Sequence, residues 1–245
     1  MKLLIVGATS AIAHETARLF AAEGAAFALA ARNPDKRAAA AADLGARGAA
    51  STHEIDYDAL APAHWSSAVD EAVRALGGLD AALVAHGVLP DAEVVNRDPA
   101  AAADAFTVNA TSAIATMTRI ATVFEAQGRG TLAVISSVAG DRGRPSNYVY
   151  GAGKAAVSAF AQGLRARLHG TGIEVVTVKP GPVDTPMMDG VDRPGALVAD
   201  PKAVGAQIHR AMRRGSDVVY APGYWRAIMA AVRAVPEPLF KRLNS

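Results

Sequence analysis

The sequence predicts one α/β domain, a doubly wound parallel sheet of about seven strands with helices on both faces. Three observations predict it. Short apolar runs recur at 2 to 6, 26 to 31, 50 to 55, 80 to 84, 131 to 135, 173 to 178 and 217 to 220, separated by helical stretches, as a sheet buried on both faces requires. The chain has 245 residues, of which 51% are hydrophobic, and no internal repeat or linker divides residues 1–245, so one large core is expected. The first run, Lys2 to Val6, enters Gly7-Ala8-Thr9-Ser10-Ala11-Ile12-Ala13 and then an alanine-rich stretch, the pattern of a strand, a tight turn and a helix.

Taken in order, that first turn aims the free N–H groups of a helix start at an anion such as a pyrophosphate, with Thr9 and Ser10 supplying hydroxyls that bind phosphate oxygens or cap the helix. The second run, Phe27 to Ala31, stops at Arg32-Asn33. Residues 37 to 50 are alanine-rich and read as a helix. The fourth run ends in Val84-Ala85-His86-Gly87, and long helices are expected near 98 to 126 and 148 to 169, rich in small apolar residues that suit pairing across a two-fold axis. The fifth run ends in Ser136-Ser137, which places a serine hydroxyl at the carboxyl end of a buried strand.

Tyr150 and Lys154 lie four apart in Tyr-Gly-Ala-Gly-Lys, so on a helix both leave one face. A phenol titrates near pH ~10 and an adjacent ammonium favours the phenolate, so the pair suits a tyrosine tuned for proton exchange. Alone, it suits equally a packed tyrosine beside a solvated lysine. Order along the chain decides the reading: a strand with a glycine turn, then Asn109, Ser137, Tyr-x-x-x-Lys, and finally Pro180-Gly181.

On these motifs the chain resembles the short-chain dehydrogenase/reductase family, whose fold is a Rossmann-type three-layer sandwich, over nearly its whole length. The resemblance implies Tyr150 as catalytic acid, Lys154 as its tuner and a ribose ligand, Ser137 as donor to a carbonyl oxygen, and Asn109 as holder of a water-linked proton relay. Tyr148 is excluded, because Ala152 stands four residues later. Cofactor contacts are implied at Gly7, Thr9, Ser10, Ala11, Ile12, Arg32, Asn33, Asp56, Tyr57, Ala85, His86, Gly87, Asn109, Tyr150, Lys154, Pro180, Gly181, Val183 and Thr185, with Asp56 and Tyr57 at the adenine. Related reductases usually carry glycine where this chain has Ala11 and Ala13, and Asn-Asn-Ala-Gly where it has Val84-Ala85-His86-Gly87. An acid after the second strand would repel a 2'-phosphate and a guanidinium would bind it; none occurs before Asp35, so NADP(H) is expected ahead of NAD(H).

Composition excludes several classes. With no cysteine there are no disulfides or thiolate metal sites, the histidines lack ligand spacing, and no metal is expected. No long apolar run reads as a membrane span, and a net charge of +2 without a basic-aromatic platform argues against nucleic acid. A cytoplasmic protein is expected. Residues 202 to 245 nevertheless hold eight basic side chains against two acids, and Trp225, Ile228, Met229, Val232 and Val235 fall at helical spacing. The segment 224–245 therefore reads as a basic amphipathic tail, lying either on the inner face of a membrane or against protein.

A narrower resemblance, to the reductase subunits of decaprenylphosphoryl-ribose 2'-epimerases, rests on Ser136 to Gly151, Val218 to Pro222, Gly87 to Glu93 and Val235 to Lys241. It implies a 2-keto sugar on a polyprenyl phosphate as substrate and a flavoprotein oxidase as partner. A general reductase of small ketones or 3-oxoacyl groups, and a non-catalytic dinucleotide-binding subunit, are the alternatives; a homo-oligomer is expected in each. The segment from about Val183 to Ala199, with Pro186, Met187, Met188 and Pro194, reads as an apolar lid over the substrate.

Overall fold

In a computed structural model of the chain, which describes residues 1–188 and 195–242, all seven expected strands form one parallel sheet. They are β1 (Lys2–Val6), β2 (Ala26–Ala31), β3 (Ser51–Asp56), β4 (Ala81–Val84), β5 (Gly130–Ile135), β6 (Ile173–Pro180) and β7 (Val218–Ala221). The helices are α1 (Ala11–Ala22), α2 (Pro34–Ala46), α3 (Pro62–Leu76), α4 (Ala92–Val95), α5 (Pro99–Phe106), α6 (Ser112–Gln127), α7 (Tyr148–Arg167), α8 (Pro201–Arg214), α9 (Trp225–Ala234) and α10 (Glu237–Phe240). Pro194, one of the expected lid residues, lies outside the described residues.

The strand order is β3-β2-β1-β4-β5-β6-β7, so the winding reverses between β1 and β4, and the carboxyl ends beside that point are where such sheets bind ligands. Alternation along β1 sends Leu3 and Ile5 to one face and Leu4 and Val6 to the other, and each pair joins a separate core. The first core packs under α1 and α8, and the second, with Val69, Met117, Phe124 and Val157, under α3, α6 and α7. At about 25 cal/mol per Å² of apolar surface, burial on both faces is what holds the strand ends in register.

One element differs from expectation, and one resolves an alternative left open. The stretch near 98 to 126 is not one regular helix: α5 passes into a π-helical turn over Thr107–Thr111 before α6 resumes. Such a turn carries an extra residue per turn, and here it swings Asn109 inward, where its side-chain amide pairs with the backbone of Val88.

The C-terminal tail is the second. Its stripe does form a helix, but Trp225 and Met229 are buried on the chain's own Val138, with Ile228 and Val232 partly covered. The protein-packed alternative is the arrangement observed, and α9 has its apolar face turned inward rather than outward. No helix among the described residues is long and apolar enough to cross a membrane.

Candidate active site

At the carboxyl ends of β1, β4, β5 and β6 lies an elongated cleft of about 420 Å³. Gly7, Thr9, Ser10, Ala11 and Ile12 line one part of it, and Arg32 lies at the β2 end. Ser137, Tyr150, Lys154, Pro180, Gly181, Val183 and Thr185 line the other part, and Ala85, His86 and Gly87 also face it. Asn33, Asp56 and Asn109 are not in the lining. Asn33 caps α2 by accepting from the Lys36 amide at 2.8 Å. Asp56 turns outward toward Arg37, 3.6 Å away, and Asp58 takes its place in the wall.

The phosphate turn is built by Gly7 and Ser10. Gly7 has φ +87°, which disfavours any side chain, and a Cβ there would lie 2.5 Å from the backbone nitrogen of His86. Ser10 caps α1 by accepting from the Ala13 amide, and Ala11 and Ile12, in the first turn of that helix where amides lack helical partners, line the cleft. Ala13, where a glycine was expected, is fully buried in the core, so its methyl does not obstruct the cleft. A pyrophosphate fits this cradle.

The catalytic end is interlocked. Lys154 is buried and its Nζ donates to the Ile135 carbonyl at 3.0 Å, 5.7 Å from the centre of the Tyr150 ring. Ser136 ties β5 to α7, donating to the Lys154 carbonyl at 2.9 Å. Close contact needs small residues: a Cβ on Gly151 would lie 2.8 Å from the Ala139 carbonyl oxygen, and one on Gly140 would lie 2.7 Å from the Lys154 backbone. Asn109 is 1% exposed and sits behind Gly87, where an added Cβ would meet its Oδ1 at 2.8 Å and Lys154 Nζ at 3.2 Å. Asn109, Gly87 and Lys154 thus form one cluster with Tyr150 on its cleft side.

The electrostatics correct one expectation. Burial pushes the Tyr150 phenol up, an effect only partly opposed by the Ser137 hydroxyl, so even with the Lys154 ammonium nearby the phenol lies above its ordinary value. Desolvation instead draws Lys154 itself down to about 8. Tyr150 is therefore a protonated donor at neutral pH, and Lys154 is the group that titrates near physiological pH. His86 is held down to about 3, by burial first and then by Lys154, so it stays neutral. Its Nε2 pairs with Ser112 Oγ at 2.9 Å, its Nδ1 is buried without a partner, and its ring lies 5.1 Å from that of Tyr57.

Sequence reasoning missed Lys36, Asp58 and Val88, all in the lining, and Ser136. Lys36 stands four residues after Arg32, a spacing that offered a signal only once Pro34 was known to start α2. No group of three or more potential metal-binding side chains occurs among the described residues.

A family model for short chain dehydrogenases matches residues 2–194, which include the turn, Asn109, Ser137, Tyr150 and Lys154. The chain belongs to the short chain dehydrogenase family. An uncharacterized oxidoreductase of Streptomyces coelicolor is 40% identical over 243 residues, covering 98% of this chain and 95% of the relative. One of Mycobacterium tuberculosis is 37% identical over 241 residues, covering 98% and 96%. Among solved structures, levodione reductase superposes with a TM-score of 0.82 at 19% identity, covering 92% of this chain and 97% of that one. A dehydrogenase of Burkholderia cenocepacia with bound NADP gives 0.80 at 21%, covering 89% and 90%. These two likenesses concern the fold; the family match and the oxidoreductase relatives make the chain a short chain dehydrogenase/reductase with a dinucleotide site.

Proposed function

We propose that this short chain dehydrogenase reduces a ketone to a secondary alcohol with NADPH, and that Tyr150 delivers the proton. The observation that carries the reading is the single cleft in which the phosphate turn, an exposed Arg32–Lys36 pair and the Ser137–Tyr150–Lys154 cluster all take part. The turn would hold the pyrophosphate, Arg32 and Lys36 the 2'-phosphate, Tyr57 and Asp58 the adenosine, and Pro180 to Thr185 the nicotinamide end. A bound reduced nicotinamide supplies hydride. Ser137 and Tyr150 then hold the substrate oxygen, Tyr150 gives its proton to that oxygen as negative charge builds, and Lys154 stabilises the phenolate left behind. Asn109 fixes the Val88 backbone in the wall beside them.

On the substrate side, the described lining is apolar: Val88, Val108, Pro186, Met187 and Met188, with Val88 41% and Met187 44% exposed at the mouth. Such a mouth suits a carbonyl carried by a large apolar group, which supports a lipid-linked keto sugar over small polar ketones. The test is NADPH oxidation with ketones of increasing alkyl length and a polyprenyl-phosphate keto sugar. The ratio kcat/KM should rise about fourfold per added methylene until the mouth is filled, from ~0.8 kcal/mol per buried CH₂. A flat series removes the apolar-mouth reading, and no oxidation with any carbonyl removes the reductase.

A further inference from the structure

The segment between Ser137 and Tyr150 joins two residues that line the cleft, while its own Asp141, Arg142 and Arg144 make their contacts outside the cleft, mostly with the last quarter of the chain. The Asp141 side chain is buried, accepting from Tyr220 Oη at 2.7 Å and pairing with Lys179. Arg142 is the centre of the arrangement. One guanidinium nitrogen donates to the Val232 carbonyl at 2.7 Å and also to that of Val235; another donates to Glu237 at 3.0 Å; and the plane lies 3.7 Å over the Phe240 ring. The carbonyls at the end of α9 lack helical partners, and a cation there is favoured by the helix dipole as well. Arg144 reaches the Met229 sulfur at 3.7 Å.

The same C-terminal segment touches the other walls. The Trp225 indole lies against Gly181, where a Cβ would be 2.0 Å from Nε1, and Val138 and Leu197 join the cluster around Trp225 and Met229. Tyr224 donates to the Leu197 carbonyl at 3.5 Å. One element thus meets the catalytic loop, the Pro180-Gly181 turn and the far end of the lid segment.

We propose that residues 225–240 are a strut for the substrate side of the site, and that Arg142 is the positioning residue through which the strut holds the Ser137–Tyr150 wall. The kinetic arm of the proposal rests on the reductase reading above; the structural arm does not. The hydrogen bonds and ring contact of Arg142 go to Val232, Val235, Glu237 and Phe240, none of them assigned above to the cofactor, so loss of Arg142 alone should leave cofactor binding largely unchanged.

The test is hydrogen exchange on the full chain, paired with ketone kinetics at saturating NADPH, for wild type, Arg142→Ala, Arg142→Lys and Phe240→Ala. In Arg142→Ala, amides over 138–147 should exchange about tenfold faster or more while those of β1 and β2 stay unchanged, since several hydrogen bonds to a charged group are lost. Ketone kcat/KM should fall about tenfold through KM, NADPH affinity should stay within about twofold, and Arg142→Lys, which keeps the charge but not the fork, should fall between. Unchanged exchange over 138–147, or acceleration spread evenly over the molecule, overturns the strut. If Arg142→Ala does not fold, the Lys and Phe240→Ala variants carry the same exchange readout and decide it. If wild type reduces no carbonyl, the function proposed above fails while the exchange result still decides the strut.

Discussion

The two ends of the cleft are built by opposite means. At the catalytic end Ser136, Ser137, Asn109 and Lys154 are buried, and each side chain has a partner on another element or in the local backbone. At the adenine end Arg32 and Lys36 stand exposed, and neither ion-pairs with another described residue. Proton transfer needs groups fixed and partly dehydrated, so it needs a packed neighbourhood. Choosing between two cofactors that differ by one phosphate needs only surface charge of the right sign, which can be changed without repacking.

The strongest way to break this contrast is at Tyr150. Tyr150→Phe removes the proton donor and should lower kcat by about 10² to 10⁴ while NADPH affinity, measured by titration, stays within about twofold. A near-normal rate would place the acid elsewhere. Lys154→Met should follow, with a loss on the order of 10² and a changed pH profile. In the wild type, Lys154 titrates at about 8, its ammonium present below that pH and lost above it, so ketone reduction should hold at neutral pH and decline above about 8. The decline should vanish in the variant, as a pH series of kcat/KM would reveal. The same lowered value, against an ordinary 10.5, means the unfolded chain keeps that proton longer, so Lys154's contribution to stability rises with pH between 8 and 10.5.

At the other end, Arg32→Asp should weaken NADPH by about tenfold to a hundredfold, from ~1.5–3 kcal/mol for a charge-assisted contact, with NADH little affected. Equal NADPH binding by variant and wild type would take cofactor choice away from Arg32. The smallest effect is expected between the two ends, at His86. It is neutral with an unpartnered Nδ1, and Ser112 keeps its bond to the Val108 carbonyl at 3.0 Å without it. His86→Ala should shift stability at neutral pH by no more than about 1 kcal/mol, since the cavity formed offsets relief of the buried nitrogen, and because the folded imidazole is held down to about 3 against an ordinary 6.5, the loss of stability that wild type shows as pH falls below about 6.5 should be smaller in the variant.

Much of this was legible in one dimension because it depends on local spacing. Strand positions followed from apolar runs that match the sheet within a residue or two, and Tyr150 and Lys154 share a helix face because four residues make one turn. Gly7 announced a turn that only a residue without a side chain tolerates there. Asn33 and Asp56 were assigned to the cleft by position in a motif, yet each is turned away by a partner that spacing does not encode, an α2 cap and Arg37, while Asn109 is held behind Gly87, beside Lys154, by the backbone of Val88. The apolar stripe of the tail was equally visible, but its period is the same for a helix on a membrane and a helix on Val138.

By itself, then, the sequence determined the order and type of elements, the family and the residues able to move a proton, since these depend on hydrophobic period and on side-chain chemistry at short range. Only the tertiary structure decided which way Asn109 faces, that burial outweighs the nearby ammonium in setting the Tyr150 phenol, and that the tail closes on Arg142. Each of those outcomes depends on desolvation and on contacts between residues tens of positions apart, and such contacts exist only once the chain has folded.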